Sequence, residues 1–260
     1  MNAAYFLLFG ILISGASAHT LYAEFPRELS AGSSAGVWIA YGHGGTAETE
    51  LISLPVAHLI SPGGRVTNLD LEPYSGGLRG RVGLEETGTY TLDLQSETSL
   101  FDPSWFGASG DRTLIEKYSR ALLPVQSGHG FGWSSGKGLE IVSETDPYLL
   151  KKGDEFQARA LWNGKPIGGS YSATVARLPD DVLMVQHAQE TVVEGISDLG
   201  DIGFKLDAPG LWILSFEATL DEDGMWKATS DDAQGHYHSG DDLDYKKRAP
   251  TAYLSFWVGN

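Results

Sequence analysis

Residues 88–94, GTYTLDL, alternate apolar and polar side chains, which places Tyr90, Leu92 and Leu94 on one face of a predicted β-strand. Similar short runs recur along the chain and are separated by turns rich in Gly, Pro, Asp and Asn. Further strands are predicted at residues 37–41, 139–142, 156–162, 172–178, 203–206, 211–218 and 251–258. This spacing is typical of β-sandwiches, so we expect an all-β protein with two immunoglobulin-like β-sandwich domains.

One segment departs from this pattern and predicts the connection between the domains. In residues 112–123, RTLIEKYSRALL, apolar side chains recur with a period close to 3.6, which predicts a short helix. The Gly-rich stretch 127–138, SGHGFGWSSGKG, predicts a loop. We therefore expect an N-terminal domain at 19–125 and a C-terminal domain at 126–260, joined by this helix and loop.

The first eighteen residues, MNAAYFLLFGILISGASA, resemble a secretory signal peptide. An apolar stretch precedes Ala16-Ser17-Ala18, which fits the pattern that signal peptidase cleaves, although no Lys or Arg comes before that stretch. The apolar stretch is too short to span a membrane comfortably. We expect an exported protein, periplasmic or secreted, whose mature chain has no membrane span and begins at His19.

The composition limits the chemistry that is available. The chain has no Cys, which excludes disulfides, thiolate metal sites and a Cys nucleophile. Its formal net charge is −16, so it repels nucleic acid and attracts cations, although such a charge also serves solubility alone. No H-E-x-x-H, G-x-S-x-G or P-loop motif occurs, so an enzyme is not expected.

A new N-terminal histidine is the leading candidate metal ligand. Cleavage after Ala18 gives His19 a free α-amine beside its imidazole, and the two nitrogens can chelate one ion. His43 follows a predicted strand within Gly-His-Gly-Gly, where the glycines leave space around the ring. The alternatives are that His19 is an arbitrary first residue and that His43 is a turn residue.

A second candidate is the H-x-H pair of His236 and His238. In a strand, residues two apart lie on the same face, so both rings would reach one ion. The pair lies in a long acidic insert at 221–248, which predicts either a metal-gathering flap or a disordered acidic loop.

The remaining histidines are weaker candidates. His129 lies in the Gly-rich loop, where it completes the metal site or packs near Trp133. His58 and His187 lie among apolar residues and are expected to be structural.

The chain resembles a family of secreted two-domain β proteins, many known only as a domain of unknown function, that includes auxiliary periplasmic components of nickel and cobalt uptake transporters. The resemblance spans the mature chain, although the stretch 197–201 is a looser form of the family's T-D-x-x-G turn. It is carried by His19-Thr20-Leu21-Tyr22, Tyr41-Gly42-His43-Gly44, Gly138-Leu139-Glu140-Ile141-Val142 with Asp146-Pro147, Asn163-Gly164-Lys165-Pro166 and Pro209-Gly210-Leu211-Trp212.

These residues predict an exported protein that captures a metal ion for a membrane transporter. Nitrogen-rich ligands without sulfur favour Ni(II), Co(II), Cu(II) or Zn(II) over Cu(I). Affinity order alone would select copper, whereas the resemblance implies nickel or cobalt. Two alternatives stay open: a copper monooxygenase that uses His19 and His43 as a histidine brace, and a structural or adhesive β-sandwich protein.

Overall fold

The computed structural model describes residues 20–43, 46–47, 53–74, 77–176 and 190–260. This part of the chain is built from strands, so the predicted all-β class is confirmed. In chain order they are β1 (Thr20–Glu24), β2 (Ser33–His43), β3 (Thr46–Ala47), β4 (Val56–Ile60), β5 (Val66–Asn68), β6 (Leu71–Tyr74), β7 (Gly77–Leu84), β8 (Gly88–Gln95), β9 (Ser99–Phe101), β10 (Thr113–Val125), β11 (Leu139–Ser143), β12 (Glu155–Trp162), β13 (Lys165–Pro166), β14 (Gly169–Ala176), β15 (Glu190–Ser197), β16 (Asp201–Lys205), β17 (Gly210–Glu217), β18 (Leu220–Lys227) and β19 (Asp242–Val258). A 3-10 turn, Pro103–Phe106, lies between β9 and β10. Within these ranges no helix has the length and apolar character needed to cross a membrane.

A large central sheet organises the molecule. Its strands lie in the order β15-β14-β17-β19-β10-β8-β4-β5, with β9 also paired to β10 and β18 to β19. At its centre β10 and β19 run parallel, from the pair Thr113–Lys247 to the pair Ala121–Ser255. Strands from both predicted domains therefore share one sheet. The domain boundary at residue 125 stays a prediction.

Two smaller sheets cover the two faces of the central sheet. The first contains β1, β2, β3, β6 and β7, and the second contains β11, β12, β13 and β16. Neighbouring residues of β17 show the division, because Ile213 belongs to the core beneath the first sheet and Leu214 to the core beneath the second. A strand buried on both faces needs a continuous apolar run, which residues 211–214 provide.

The predicted helix at 112–123 is wrong, because this segment lies in strand β10. It pairs with β8, β9 and β19, so both of its edges are hydrogen-bonded. Its faces contribute to different cores, Ala121 to the first and Leu122 to the second. Burial on both faces removes the alternation that marks a half-buried strand, and the remaining apolar residues happened to match a helical period.

The acidic insert is folded. Most of it consists of β18 and the first half of β19, which pair as an antiparallel hairpin and are connected by the loop 228–241. The hairpin has its own small core, formed by Leu100, Leu114, Ala228, Tyr237 and Tyr245.

The second core provides a test of this architecture. Phe256 of β19 is fully buried and stacks on Phe156 of β12, with ring centroids 4.3 Å apart. We expect Phe256→Ala to lower the free energy of unfolding by about 3–5 kcal/mol, because it removes a large ring from a close-packed site. Ile196→Ala is the matched control, since Ile196 is 83% exposed and its truncation should change stability by about 0.5 kcal/mol or less. Urea unfolding measures both, and equal losses would contradict this placement of the core.

Candidate metal-binding site

The first candidate site lies where β1 meets β2 at the edge of the first covering sheet. The two strands are antiparallel, with Thr20 opposite Gly42 and Leu21 opposite Tyr41. His43 is the last residue of β2, and its backbone pairs with Thr46 of β3. His19 and the side chain of His43 lie outside the described part of the chain.

A buried polar layer lies beside this edge, between the first covering sheet and the central sheet. Lys117 of β10 is 3% exposed, and its Nζ lies 5.1 Å from the ring centroid of Tyr41. Burial lowers the pKa of Lys117 to about 8, and the negative charge of Glu217 opposes that effect in part. Burial also raises the pKa of Tyr253, on the neighbouring strand β19, well above its ordinary value. The end of β2 is therefore backed by a buried amine, which is protonated below a pH of about 8, and by a buried phenol that stays neutral.

His236 is held by aromatic packing and by a carboxylate. Its ring stacks on Trp105 with centroids 4.2 Å apart and planes 4° from parallel. Its Nδ1 lies 2.7 Å from Oδ2 of Asp232, which also accepts a hydrogen bond from the backbone nitrogen of His236. One face of the imidazole is thus covered by Trp105 and one of its nitrogens is bound by Asp232.

His238 points to a different carboxylate. Its side chain is 73% exposed, and its Nδ1 lies 3.6 Å from Oδ1 of Asp231. Both histidines lie in the loop 228–241 rather than in a strand, because β18 ends at Lys227 and β19 begins at Asp242. The H-x-H spacing would place both rings on one face if the pair lay in a strand, but the pair lies in a loop.

His129 lies at the other end of β10 from His236. Its Nδ1 is 2.9 Å from Oγ of Ser127, and its carbonyl accepts a hydrogen bond from the backbone of Thr89, which is opposite Pro124 near the end of β10. Trp105 and Tyr237, by contrast, pack with Leu114 near the start of β10. About ten residues of extended chain separate these positions, roughly 30 Å. His129 and His236 cannot share one ion.

The described residues contain no cluster of three or more His, Asp or Glu side chains that could hold a metal ion. His187 lies outside them. His58 is half-buried on β4 and lines a cleft of about 510 Å³ together with Asp93, Arg120 and Trp133.

Sequence reasoning missed the buried ion pair beneath that cleft. Arg120 of β10 donates hydrogen bonds to Glu140 of β11, to Asp93 of β8 and to the carbonyl of Trp133 in the Gly-rich loop. Arg120 is 5% exposed and Glu140 is 2% exposed. A charged residue among the apolar residues of 112–123 was the available signal, but a helix would place it on a solvated face.

Glu140 also organises the Gly-rich loop. It accepts hydrogen bonds from the hydroxyls of Ser134 and Ser135 and from the backbone nitrogens of Ser135 and Gly136. Burial opposes the charged form, but the charge of Arg120 and the serine hydrogen bonds outweigh it and hold the pKa of Glu140 below 4.5. The loop is therefore anchored to a carboxylate of the second covering sheet.

Comparisons with known proteins identify a family. The family model described as "Domain of unknown function (DUF4198)" matches residues 16–248. No curated protein matches the chain.

Three similar solved structures have low TM-scores. A DUF4785 family protein from Legionella pneumophila is 11% identical, with a TM-score of 0.28 over 75% of this chain and 50% of that one. A trypsin-activated alpha-2-macroglobulin from Escherichia coli is 13% identical, with a TM-score of 0.28 over 92% of this chain and 16% of that one. A Salmonella alpha-2-macroglobulin reacted with methylamine is 14% identical, with a TM-score of 0.27 over 92% and 15%. The chain thus spans half or less of the length of each.

The ion pair of Glu140 predicts a large and pH-dependent stability effect. Glu140→Gln should lower the free energy of unfolding by about 3–5 kcal/mol at pH 7, because it leaves the buried Arg120 undercompensated. Since the folded pKa of Glu140 is lowered, this contribution is present above pH 4.5 and is lost as the pH falls through the folded value. Urea unfolding from pH 7 to pH 3 measures it. Glu72→Gln breaks the exposed pair with Arg79 and should cost about 1 kcal/mol or less; equal costs would contradict the buried role.

The buried amine of Lys117 predicts a second rise of stability with pH, in an alkaline window. Its folded pKa of about 8 lies below the ordinary 10.5, so between these values the unfolded state binds a proton that the folded state has released. Relative to Lys117→Met, the wild type should gain up to about 3 kcal/mol of stability as the pH rises through this window. Guanidinium unfolding from pH 7 to pH 10.5 tests this, with Lys205→Met as an exposed control. A constant difference between wild type and Lys117→Met would refute it.

Proposed function

Because the chain belongs to this family of unknown function, we propose its function from its own residues: it is an exported protein that captures Ni(II) or Co(II) and delivers the ion to a membrane transporter. The predicted signal peptide supports export. The net charge of −16 supports attraction of cations. The proposed ligands are the α-amine and imidazole of His19 and the imidazole of His43.

The register of β1 and β2 is the observation that carries this proposal. Thr20 is opposite Gly42 and Leu21 is opposite Tyr41. If this register continued by one residue beyond the described part of the chain, it would bring His19 opposite His43. Directly opposed residues of an antiparallel pair have Cβ atoms about 4.5–5.5 Å apart and project to the same face. Two imidazoles at that spacing can bind one ion, and the α-amine of His19 would add a third nitrogen.

The donor set fits a borderline divalent ion. Three nitrogens without a thiolate suit Ni(II), Co(II), Cu(II) or Zn(II). The preference for nickel or cobalt rests on the resemblance to the uptake family. His129 and His236 are too far apart to bind the same ion. His129, His236 and His238 stay predictions as further metal ligands. Among them, His238 has an exposed ring that an incoming ion can reach.

The N-terminal chelate can be tested by changing one residue at the processed end. Mature protein that begins at His19 should bind Ni(II) and Co(II) at least tenfold more tightly than the same chain with one added Gly, because the addition moves the amine away. His43→Ala should weaken binding by a similar factor, whereas Glu72→Gln, which changes an exposed carboxylate, should leave it unchanged. Isothermal titration calorimetry measures all four proteins.

Each alternative function has its own outcome. Equal affinities with and without the added Gly would rule out the N-terminal chelate. Oxygen consumption by the Cu(II)-loaded protein with a reductant would identify the monooxygenase instead. Failure of every divalent ion to bind tightly would favour a structural or adhesive protein.

A further inference from the structure

A row of polar side chains crosses three neighbouring strands of the central sheet, away from His19 and His43. His58 of β4 is directly opposite Asp93 of β8, and Asp93 is directly opposite Arg120 of β10. Cross-strand partners project to the same face, with Cβ atoms about 4.5–5.5 Å apart. On the other side of His58, Asn68 of β5 is its direct partner. His58 thus has a neighbour on each side, Asp93 and Asn68, whose side chain has an oxygen atom that can bind a metal ion.

This row forms part of the floor of the cleft of about 510 Å³. Val56 and Val66 lie on one side of it, and Trp133 and Lys137 of the Gly-rich loop lie on the other. The loop is held in place by its hydrogen bonds to Glu140. Hydrogen bonds to Glu140 therefore fix the loop that forms one wall of the cleft.

The charges on the floor do not cancel. The guanidinium of Arg120 is neutralised by Glu140, with which it forms the more deeply buried of its two ion pairs. Two carboxylates, Glu140 and the 22% exposed Asp93, thus share one guanidinium, which gives the floor a net negative charge. Lys137 of the Gly-rich loop is the other cation among the residues that line the cleft. Arg120 Nε binds only Oδ1 of Asp93, at 3.0 Å, and Oδ2 has no hydrogen bond within the described part of the chain.

The imidazole of His58 is available as well. Among the described residues it makes no hydrogen bond, ion pair or ring contact, although it is half-buried beside a carboxylate. An imidazole nitrogen and a carboxylate oxygen in adjacent register positions can act together as ligands. Arg120 orients the carboxylate without using its second oxygen.

We propose that His58 and Asp93 form a second cation site, which takes a first-row transition-metal dication and is independent of the N-terminal histidine. The imidazole favours Zn(II), Co(II) or Ni(II) over Ca(II) or Mg(II), which prefer oxygen ligands alone. The amide oxygen of Asn68 and water supply the other positions. Because it has one nitrogen donor and no chelate ring, whereas the N-terminal site has three nitrogens and a chelate ring, this site binds more weakly and exchanges its ion more readily.

Metal titration of the full mature chain tests this site separately from the proposed function. We expect Co(II) to bind at two sites of different affinity in the wild type, measured by calorimetry. His58→Ala should abolish the weaker site or reduce its affinity at least tenfold, and Asp93→Asn should have a similar effect. Glu72→Gln, which neutralises an exposed carboxylate outside the cleft, should keep both sites. Unchanged thermal midpoints would confirm that the variants fold.

A spectroscopic readout locates the ion in the cleft. Co(II) quenches nearby indoles, so it should quench Trp133 fluorescence in the wild type, and that component should be missing in both Trp133→Phe and His58→Ala. Zn(II) added afterwards should restore the signal.

The outcomes of the two proposals are distinct. If the added Gly before His19 leaves affinity unchanged but His58→Ala removes a site, the N-terminal proposal fails and the cleft site stands. If His58→Ala and Asp93→Asn alter neither the number of bound Co(II) ions nor the quenching, the cleft site is refuted.

Discussion

The parallel pairing of β10 with β19 is the interaction on which the architecture depends. Parallel neighbours cannot be joined by a tight turn, so the chain must make a long excursion between them. That excursion, residues 126–241, contains the second covering sheet and strands β14, β15, β17 and β18 of the central sheet. Because one smaller sheet covers each face of the central sheet, both faces of the pair are buried and two separate cores form against it.

The ion pair between Arg120 and Glu140 joins these layers at one point. It links β10 of the central sheet to β11 of the second covering sheet and, through the serine hydrogen bonds, to the Gly-rich loop. A buried charge pair is costly to desolvate, and its hydrogen bonds offset that cost only when the geometry is complete. The position of the Gly-rich loop therefore depends on correct packing of the two sheets. Because this loop forms one wall of the cleft, the shape of the cleft depends on the same packing.

The histidines are distributed over the fold rather than gathered in it. His43 ends β2, His129 lies beside the far end of β10, and His236 is packed within a small aromatic core. The proposed N-terminal chelate needs only the register of β1 with β2, since the terminus brings two nitrogens of its own. His58, expected from the sequence to be structural, instead has an unused ring beside Asp93 on the floor of a cleft.

The sequence by itself determined the all-β class, most of the strand positions, the lack of sulfur chemistry and the identity of the histidines. Local alternation and turn residues encode these properties, and they can be read without knowing what packs against what. Only the tertiary structure decided that residues 113–125 form a strand, because burial on both faces erases the period-two pattern. It also decided which polar residues meet: Arg120 and Glu140 are separated by a loop, and His58 and Asp93 by several strands, so their contacts depend on strand order and register.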